Sequence, residues 1–319
     1  MARPFVYTKI LATAILARLR GDREGYAHRR RILAYRLLQS LSKEDVELVG
    51  VRRGGREWLF DLRGGPIPIM LFQGGEFQGA EIEALLNWMR ADGRLGEGKV
   101  AVDVGANIGT TTIPLVDAGL EVIAIEPAPR NFDLLTWNIH RNGLKDRVHA
   151  IQAAVAATEG ELEIVIDSGD IGGCEIRSEK GAPPNRGGPE PLESVRVPSL
   201  SLARVLEQCG ADPSRVAFLW SDTQGFESEV LESGRKLWAA GVPIWVEVWP
   251  TGLRRHGGVD RFLKLVNDLF STWLSPEDVA NGRREGRPIA EFAPFVHQIG
   301  FGEAASTDAL LLPREEAAT

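Results

Sequence analysis

One short stretch of the chain combines an apolar strand with a glycine turn. It reads Val102-Asp103-Val104-Gly105-Ala106-Asn107-Ile108-Gly109. The apolar run predicts a buried strand over Val100–Val104, followed by a helix over Thr110–Ala118. Gly105 permits a sharp turn and leaves room for a ligand where a Cβ would obstruct it. Asp103, at the strand end, can accept from an ammonium group. The stretch therefore predicts a ligand site where the first strand of an α/β sheet ends.

Strands and helices alternate on both sides of this stretch. Such spacing favours βαβ units, and hence a doubly wound, mostly parallel α/β sheet with helices on both faces. The Gly- and Pro-rich segment 168–191 predicts a long loop of a kind that is usually functional or mobile. The further predicted strands are Glu121–Ile125, Val148–Val155, Glu161–Ile166, Val216–Ser221, Pro243–Trp249 and Ala309–Leu312. The further predicted helices are Gly79–Met89, Asn131–His140, Leu200–Gln208, Ser228–Ala240 and Val259–Leu269.

The first 75 residues differ in character and predict a separate region, with the main domain over 76–319. Residues 1–43 predict a basic helical arm with a break near Arg20. Three short apolar runs follow and predict a small antiparallel β layer. These runs are Val46–Val51, Trp58–Leu62 and Ile67–Phe72.

Charge is distributed unevenly along the chain. The 319 residues carry a net charge of −7, with 37 basic and 44 acidic side chains. Residues 1–43 hold ten basic and two acidic residues, a net +8, which leaves −15 for the remainder. An acidic body does not favour nucleic acid as the main substrate. The apolar stretch of the arm, Ile10 to Ala17, is too short to span a bilayer. The arm is expected to pack on the rest of the protein, with contact to a membrane surface or to another protein as the alternative. The protein is expected to be cytoplasmic.

A second acid fits the ligand site. Glu126 closes the strand Glu121–Ile125 and follows Asp103 by 23 residues, the place from which an acid binds ribose hydroxyls. A nicotinamide dinucleotide would require G-x-G-x-x-G, and Asn107 stands where the second glycine should be. S-adenosylmethionine, with its amino-acid moiety, fits Asp103 and Glu126 better.

Several ordered motifs resemble the FkbM-type methyltransferase family. The resemblance covers about residues 76 to 250. Two departures occur: Trp220-Ser221 replaces the family's Lys-Ile, and Gln224 replaces its acid before glycine. The matching segments are Val102–Gly109, Glu126-Pro127, Asn138, Asn142, Ser199–Leu202, Ser221–Glu227, Val230–Gly234 and Val246-Glu247-Val248.

The resemblance implies a Rossmann-like class I methyltransferase fold and methyl transfer from S-adenosylmethionine. The acceptor is expected to be a hydroxyl on a small molecule, sugar or glycan. The residues expected to bind the cofactor are Asp103, Gly105, Ala106, Asn107, Gly109, Glu126 and Pro127. Gly225, Glu227 and Trp249 are expected on the acceptor side.

An alcohol acceptor needs a base, and three residues are candidates. Asp222 and Glu247 end two neighbouring strands, and His256 follows in a glycine-rich loop and could titrate near neutral pH. Trp220, Trp245 and Trp249 near these strand ends fit either core packing or an aromatic wall for the acceptor. No third ligand stands out beside the two acids, so no metal is expected.

Two other functions compete with O-methylation. One is a non-catalytic Rossmann-like nucleotide-binding protein whose basic arm docks a partner, which the presence of Asp103 and Glu126 disfavours. The other, a dehydrogenase, is disfavoured by Asn107. The sequence leaves open the acceptor, N- versus O-methylation and the oligomeric state.

Overall fold

The computed structural model describes residues 23–41, 48–62, 66–167, 170–177 and 192–314. The chain divides into two compact units. The first comprises Met1–Phe77 with Ser168–Gly172, and the second comprises Gln78–Asp167 with Gly173–Thr319. The domain boundary expected after residue 75 stays a prediction. Within the described ranges, no helix is long and apolar enough to cross a membrane.

The first unit contains two helices and a hairpin. Its elements are α1 (Arg23–Leu41), β1 (Leu48–Arg53), β2 (Arg56–Asp61) and α2 (Pro66–Gln73). The strands pair antiparallel around Gly54-Gly55, and the buried Tyr35 of α1 packs its ring 5.3 Å from that of Phe72. The basic arm is thus helical over α1, and residues 1–22 lie outside the described residues.

The strand predicted over Ile67–Phe72 is wrong, because this segment lies within α2. A short apolar run does not by itself distinguish a strand from a buried helix. Pro66 is preorganised for the first helical position, where its missing N–H costs nothing.

The second unit carries the main sheet. Its strands are β3 (Val100–Val104), β4 (Glu121–Ile125), β5 (Val148–Ile151), β6 (Ala154–Val155), β7 (Gly160–Asp167), β8 (Asp170–Ile176, of which Gly173–Ile176 fall in this unit), β9 (Leu192–Leu200), β10 (Val216–Ser221), β11 (Ile244–Val248), β12 (Phe270–Leu274), β13 (Arg287–Pro288) and β14 (Thr307–Pro313). Its α-helices are α3 (Gly79–Ala91), α4 (Thr112–Asp117), α5 (Pro129–Arg141), α6 (Leu202–Gln208), α7 (Glu227–Ser233), α8 (Arg235–Ala239), α9 (Pro250–Arg255), α10 (Val259–Leu269), α11 (Pro276–Ala280) and α12 (Phe292–Ile299).

The eight-stranded sheet has the order β13-β12-β14-β11-β10-β3-β4-β5. The five strands from β5 to β11 run parallel, and β14 joins β11 antiparallel. Crossovers between parallel strands are right-handed as a rule. The chain extends the sheet from β3 toward β5 in one direction and from β10 toward β11 in the other, so the helices of the two halves are expected on opposite faces. The expected doubly wound, mostly parallel α/β sheet is confirmed.

The strand order reverses between β3 and β10, which are buried along their whole length. Ligands of open α/β sheets bind beyond the carboxyl ends of the strands at such a switch point. The register places Asp103 opposite Trp220, so that Asp222 follows immediately beyond the end of β3. The fold thereby brings two of the predicted site residues to one crevice.

The loop predicted over 168–191 contains part of a second sheet, of order β6-β9-β7-β8. Strand β8 falls inside the predicted loop, and residues 168–169 and 178–191 lie outside the described ranges. The single strand predicted over Val148–Val155 divides in two, because β6 leaves the main sheet and pairs with β9.

Candidate active site

The turn after β3 lies directly against the segment that follows β10. Gly105 has a φ of +86°, and a Cβ there would lie 1.9 Å from the backbone oxygen of Asp222. The N–H of Asp222 in turn donates to the carbonyl of Val104 at 3.0 Å. Only glycine tolerates both this conformation and this approach.

The backbone amides of the turn are used inside the protein. The N–H groups of Gly105 and Ala106 both donate to the carbonyl of Ile125, at 2.9 and 3.0 Å, and that of Gly109 donates to Ala106 at 2.8 Å. Asn107, with φ of 51°, donates its N–H to Glu126 at 2.9 Å. Three of these amides therefore fix the turn to Ile125 and Glu126 at the end of β4, and that of Gly109 closes the turn itself.

Asp103 offers an unsatisfied acceptor at the end of β3. Its side chain is 1% exposed, and Oδ2 accepts from the Thr112 hydroxyl at 2.6 Å. Oδ1 is buried with no hydrogen-bond partner. Burial raises the pKa of Asp103 to about 7, the Thr112 bond opposes this, and the charge of Asp222 adds to it. A cationic donor reaching Oδ1 would remove an unfavourable feature of the fold.

Glu126 joins the turn after β3 to the turn after β4. It is buried, and its two carboxyl oxygens accept from the N–H groups of Asn107 and Ala128, each at 2.9 Å. Burial raises its pKa to about 7, against these bonds. The Asn131 side chain donates a third hydrogen bond, so about one of the roughly four acceptor sites of the carboxylate remains. Pro127 follows, half-buried, and leads into α5.

Asp222 and Glu247 form a carboxyl pair at the ends of β10 and β11. Asp222 Oδ1 accepts from Gln224 Nε2 at 2.8 Å, and the same nitrogen lies 3.4 Å from Glu247 Oε2. The two carboxyl groups are also hydrogen-bonded to each other. Burial raises the pKa of Asp222, and it raises that of Glu247 well above the ordinary value with the help of neighbouring charges.

This crevice lies inside a segment that matches a known family. A sequence profile described as "Methyltransferase FkbM domain" matches residues 103–267, from Asp103 through most of α10. The chain belongs to the FkbM methyltransferase family. The resemblance drawn from the motifs is thus confirmed. No curated protein sequence matches the chain.

Solved structures of two methyltransferases and of one further protein are similar to this chain at low identity. Geranyl diphosphate methyltransferase in complex with SAM is 12% identical, covers 79% of this chain and 91% of its own, and has a TM-score of 0.42. Geranyl diphosphate C-methyltransferase from Streptomyces coelicolor A3(2) is 10% identical, with 78% of this chain and 83% of its own covered and a TM-score of 0.41. P. horikoshii TYW2 in complex with MeSAdo is 13% identical, with 87% of this chain and 81% of its own covered and a TM-score of 0.38. Such distant similarity adds no argument about substrate.

The acceptor-side residues expected of an FkbM methyltransferase are buried. Glu227 Oε1 accepts from the N–H and hydroxyl of Thr223 and the N–H of Gly225, at 3.0, 2.8 and 3.3 Å, while Oε2 has no partner. Burial raises the pKa of Glu227 to about 7. A Cβ on Gly225 would lie 2.3 Å from the backbone of Gly252. Both residues brace the loop that carries Asp222, and their binding of an acceptor stays a prediction.

The tryptophans and the histidine are also enclosed. Trp220 and Trp245 stack at 5.4 Å in the core, and Trp249 donates its indole N–H to Gly302 at 3.1 Å. The three pack as core residues, so the aromatic-wall alternative is not favoured. His256 lies edge-on to Phe226, and burial lowers its pKa to about 4. The expected titration near neutral pH is wrong, because the enclosed imidazole stays neutral there.

Three residues of the candidate site carried no sequence signal. Thr112 binds Asp103, Gln78 hydrogen-bonds Asp222 from the start of α3, and Asp308 lies opposite Glu247 on β14. Burial and the charge of Asp222 raise the pKa of Asp308 to about 8. Asp308 could have been predicted as a site residue only by first predicting that β14 pairs with β11. Within the described ranges no cluster of three or more His, Cys, Asp or Glu has the geometry of a metal site.

Proposed function

We propose that this FkbM-family chain transfers a methyl group from S-adenosylmethionine to a neutral hydroxyl group of a small molecule, sugar or glycan. The observation that carries the proposal is the buried, unpartnered Oδ1 of Asp103 at the switch point of the sheet. A carboxylate oxygen left without a donor is costly, and the ammonium group of the cofactor supplies a matching charged donor.

The residues around Asp103 fit the rest of this cofactor. Gly105 keeps the turn free of a Cβ, and Glu126 keeps an acceptor site for a ribose hydroxyl. Asn107, Gly109 and Pro127 shape the two turns that hold these groups. When bound, the cofactor supplies an activated methyl group on a positively charged sulfur. The protein then has to align the acceptor and take up a proton.

The electrostatics favour a neutral acceptor. Among the described residues, the groups that act on Asp222, Glu227 and Glu247 are other carboxyls, amides, a hydroxyl and backbone N–H groups. An acceptor carrying a carboxylate or phosphate would be repelled by this cluster. Asp222 is the better base, because hydrogen bonds stabilise its charge, whereas the charges around Glu247 oppose ionisation.

Binding is tested first, by thermal-shift measurements with S-adenosylmethionine, S-adenosylhomocysteine and NAD. S-adenosylhomocysteine at 100-fold over its dissociation constant should stabilise the protein by about 2.7 kcal/mol, and NAD should not stabilise it. The absence of any shift with S-adenosylhomocysteine would refute the cofactor assignment. A shift without any methyl transfer would favour the non-catalytic alternative.

Transfer is tested with methyl-labelled S-adenosylmethionine and a panel of free sugars, glycosides and phenols, with amines as a comparison. Asp222→Asn should bind S-adenosylhomocysteine normally and lower single-turnover transfer by about 10²–10⁴, and Glu247→Gln should lower it less. Asp133→Asn, on the exposed face of α5, is the matched control and should transfer at the wild-type rate. Transfer to amines alone would replace the hydroxyl acceptor, and an unaffected Asp222→Asn would remove this base.

The predicted cytoplasmic location and the contact through residues 1–43 stay proposals. A deletion of residues 1–43 that abolishes binding to anionic vesicles, with cofactor affinity intact, would support a membrane-surface role.

A further inference from the structure

Two glutamine side chains reach the same carboxyl group from left-handed backbone. Gln78 has φ of 53° and Gln224 has φ of 55°, and only Asn107 shares this conformation among the non-glycine residues of the described ranges. A left-handed residue other than glycine costs about 1–2 kcal/mol. Such strain persists where the surroundings enforce it, often at functional sites.

Both side chains hydrogen-bond Asp222. Gln224 Nε2 donates to Oδ1 at 2.8 Å, and the Gln78 amide also donates to this carboxyl group from the start of α3. Gln78 occupies the N-cap position of α3, yet its side chain makes no capping hydrogen bond there. Its amide therefore serves Asp222 and not the helix.

The carboxyl groups of Asp222 and Glu247 cannot bond to each other without a shared proton. Amide N–H groups donate, so they stabilise Asp222 as the acceptor, ionised member. Glu247 has the Gln224 nitrogen only at 3.4 Å. The geometry therefore puts the proton on Glu247.

Within the described ranges, the charged groups that act on the pair come from several elements and are acidic. Asp103 of β3, Glu227 of α7 and Asp308 of β14 act on one or both members, and Glu81 of α3 acts on Asp308. One ionised carboxyl raises the pKa of the next. The cluster can therefore hold one charge on the pair more easily than two.

We propose, on the basis of the methyl transfer proposed above, that Gln78 and Gln224 are positioning residues. They hold Asp222 as the ionised member of a carboxyl pair whose single proton lies on Glu247. Asp222 then takes up the proton of the acceptor hydroxyl while the hydroxyl oxygen forms its bond to the methyl carbon. The bond between the methyl carbon and the sulfonium sulfur breaks, and its electron pair stays on sulfur. The products are a methyl ether, S-adenosylhomocysteine and a protonated Asp222.

The test uses glycine substitutions, Gln78→Gly and Gln224→Gly, because glycine keeps the left-handed backbone and removes only the amide. The readout is a carbon-13 NMR titration of the ligand-free full chain with labelled Asp and Glu side-chain carboxyls. Asp222→Asn and Glu247→Gln assign the two resonances. Gln208→Ala, which removes an exposed amide on α6, is the control.

In the wild type, Asp222 should titrate at a lower pH than Glu247. Each glycine variant should move the Asp222 midpoint upward by about half a unit to one unit, as the loss of one hydrogen bond implies, and the control should not move it. Gln224→Glu, which replaces the donor with a carboxyl, should move it further upward. The alkaline rise of methyl transfer should shift by the same amount, with the affinity for S-adenosylhomocysteine unchanged within twofold.

An unchanged Asp222 midpoint in both glycine variants, or a Glu247 that titrates below Asp222, would overturn the proposal. These outcomes are distinct from a failure of the proposed function. The titration needs no cofactor or acceptor, whereas the proposed function fails if the wild type neither binds S-adenosylhomocysteine nor transfers methyl.

Discussion

Replacement of Gly105 by alanine separates backbone strain from steric conflict at the turn. The new Cβ would lie 1.9 Å from the backbone oxygen of Asp222, so the two segments would have to part by about 1 Å or more. Gly119 provides a matched control, because its φ is +100° and a Cβ there would meet nothing within 4 Å. Gly119→Ala therefore carries the conformational cost alone.

The expected magnitudes differ. The left-handed conformation costs an alanine about 1–2 kcal/mol at either position. The forced separation at Gly105 adds about 1–3 kcal/mol, the range found for overpacked sites. A domain of this size loses roughly 2–4 °C in melting temperature per kcal/mol. Gly119→Ala should therefore melt roughly 2–8 °C below the wild type, and Gly105→Ala roughly 4–20 °C below it.

The assay is thermal unfolding with and without S-adenosylhomocysteine. The stabilisation of about 2.7 kcal/mol at 100-fold over the wild-type dissociation constant should persist in Gly119→Ala. It should vanish in Gly105→Ala, because the displaced turn carries Asn107 and directly follows the end of β3, where Asp103 lies. Equal melting temperatures for the two variants, with ligand stabilisation intact in both, would refute the reasoning.

Three further predictions concern the charged groups. Asp103→Asn should weaken S-adenosylhomocysteine binding by about 10- to 150-fold in calorimetry, because an ammonium group loses a charged acceptor; an unchanged affinity would argue against contact with Oδ1. The site carboxyls with pKa values raised to about 7 bind more protons folded than unfolded between about pH 4 and 7. The free energy of unfolding of the ligand-free protein should therefore fall as pH rises through this window, while ligand affinity rises; melting curves from pH 5 to 8 that show greater stability at the alkaline end would contradict this. Arg255→Met should lower stability by about 1.5–3 kcal/mol in urea unfolding, since it removes the guanidinium that donates to the buried Glu175 at 2.9 Å, whereas Arg235→Met at the exposed pair with Glu232 should cost at most about 1 kcal/mol.

The sequence predicted the elements whose signals are local. Strand β10 and helix α10 have the predicted bounds, because one is a continuous apolar run and the other repeats its apolar residues at helical spacing. Strand β9 was missed, since Pro198 and its polar neighbours weaken a strand pattern. The second half of Val148–Val155 was misplaced for another reason: its pairing with β9 is a long-range choice that its own residues do not encode.

The same distinction holds at the site. Asp103, Glu126 and Asp222 were predicted because each ends a strand of a recognisable motif. Gln78 was not, because it belongs to no motif and reaches Asp222 only through the packing of α3 in the folded chain. The burial that lowers the pKa of His256 likewise depends on Phe226, 30 residues earlier in the chain.

The internal hydrogen bonds of the turn after β3 have a thermodynamic consequence. Because the amides of Gly105, Ala106, Asn107 and Gly109 already have partners within the protein, a ligand does not have to order this loop when it binds. Ligand binding then costs little conformational entropy, and its free energy comes from the few carboxylate oxygens that can still accept a hydrogen bond. The turn thus acts as a rigid template, on which affinity can be adjusted through the charge of single side chains without rebuilding the backbone.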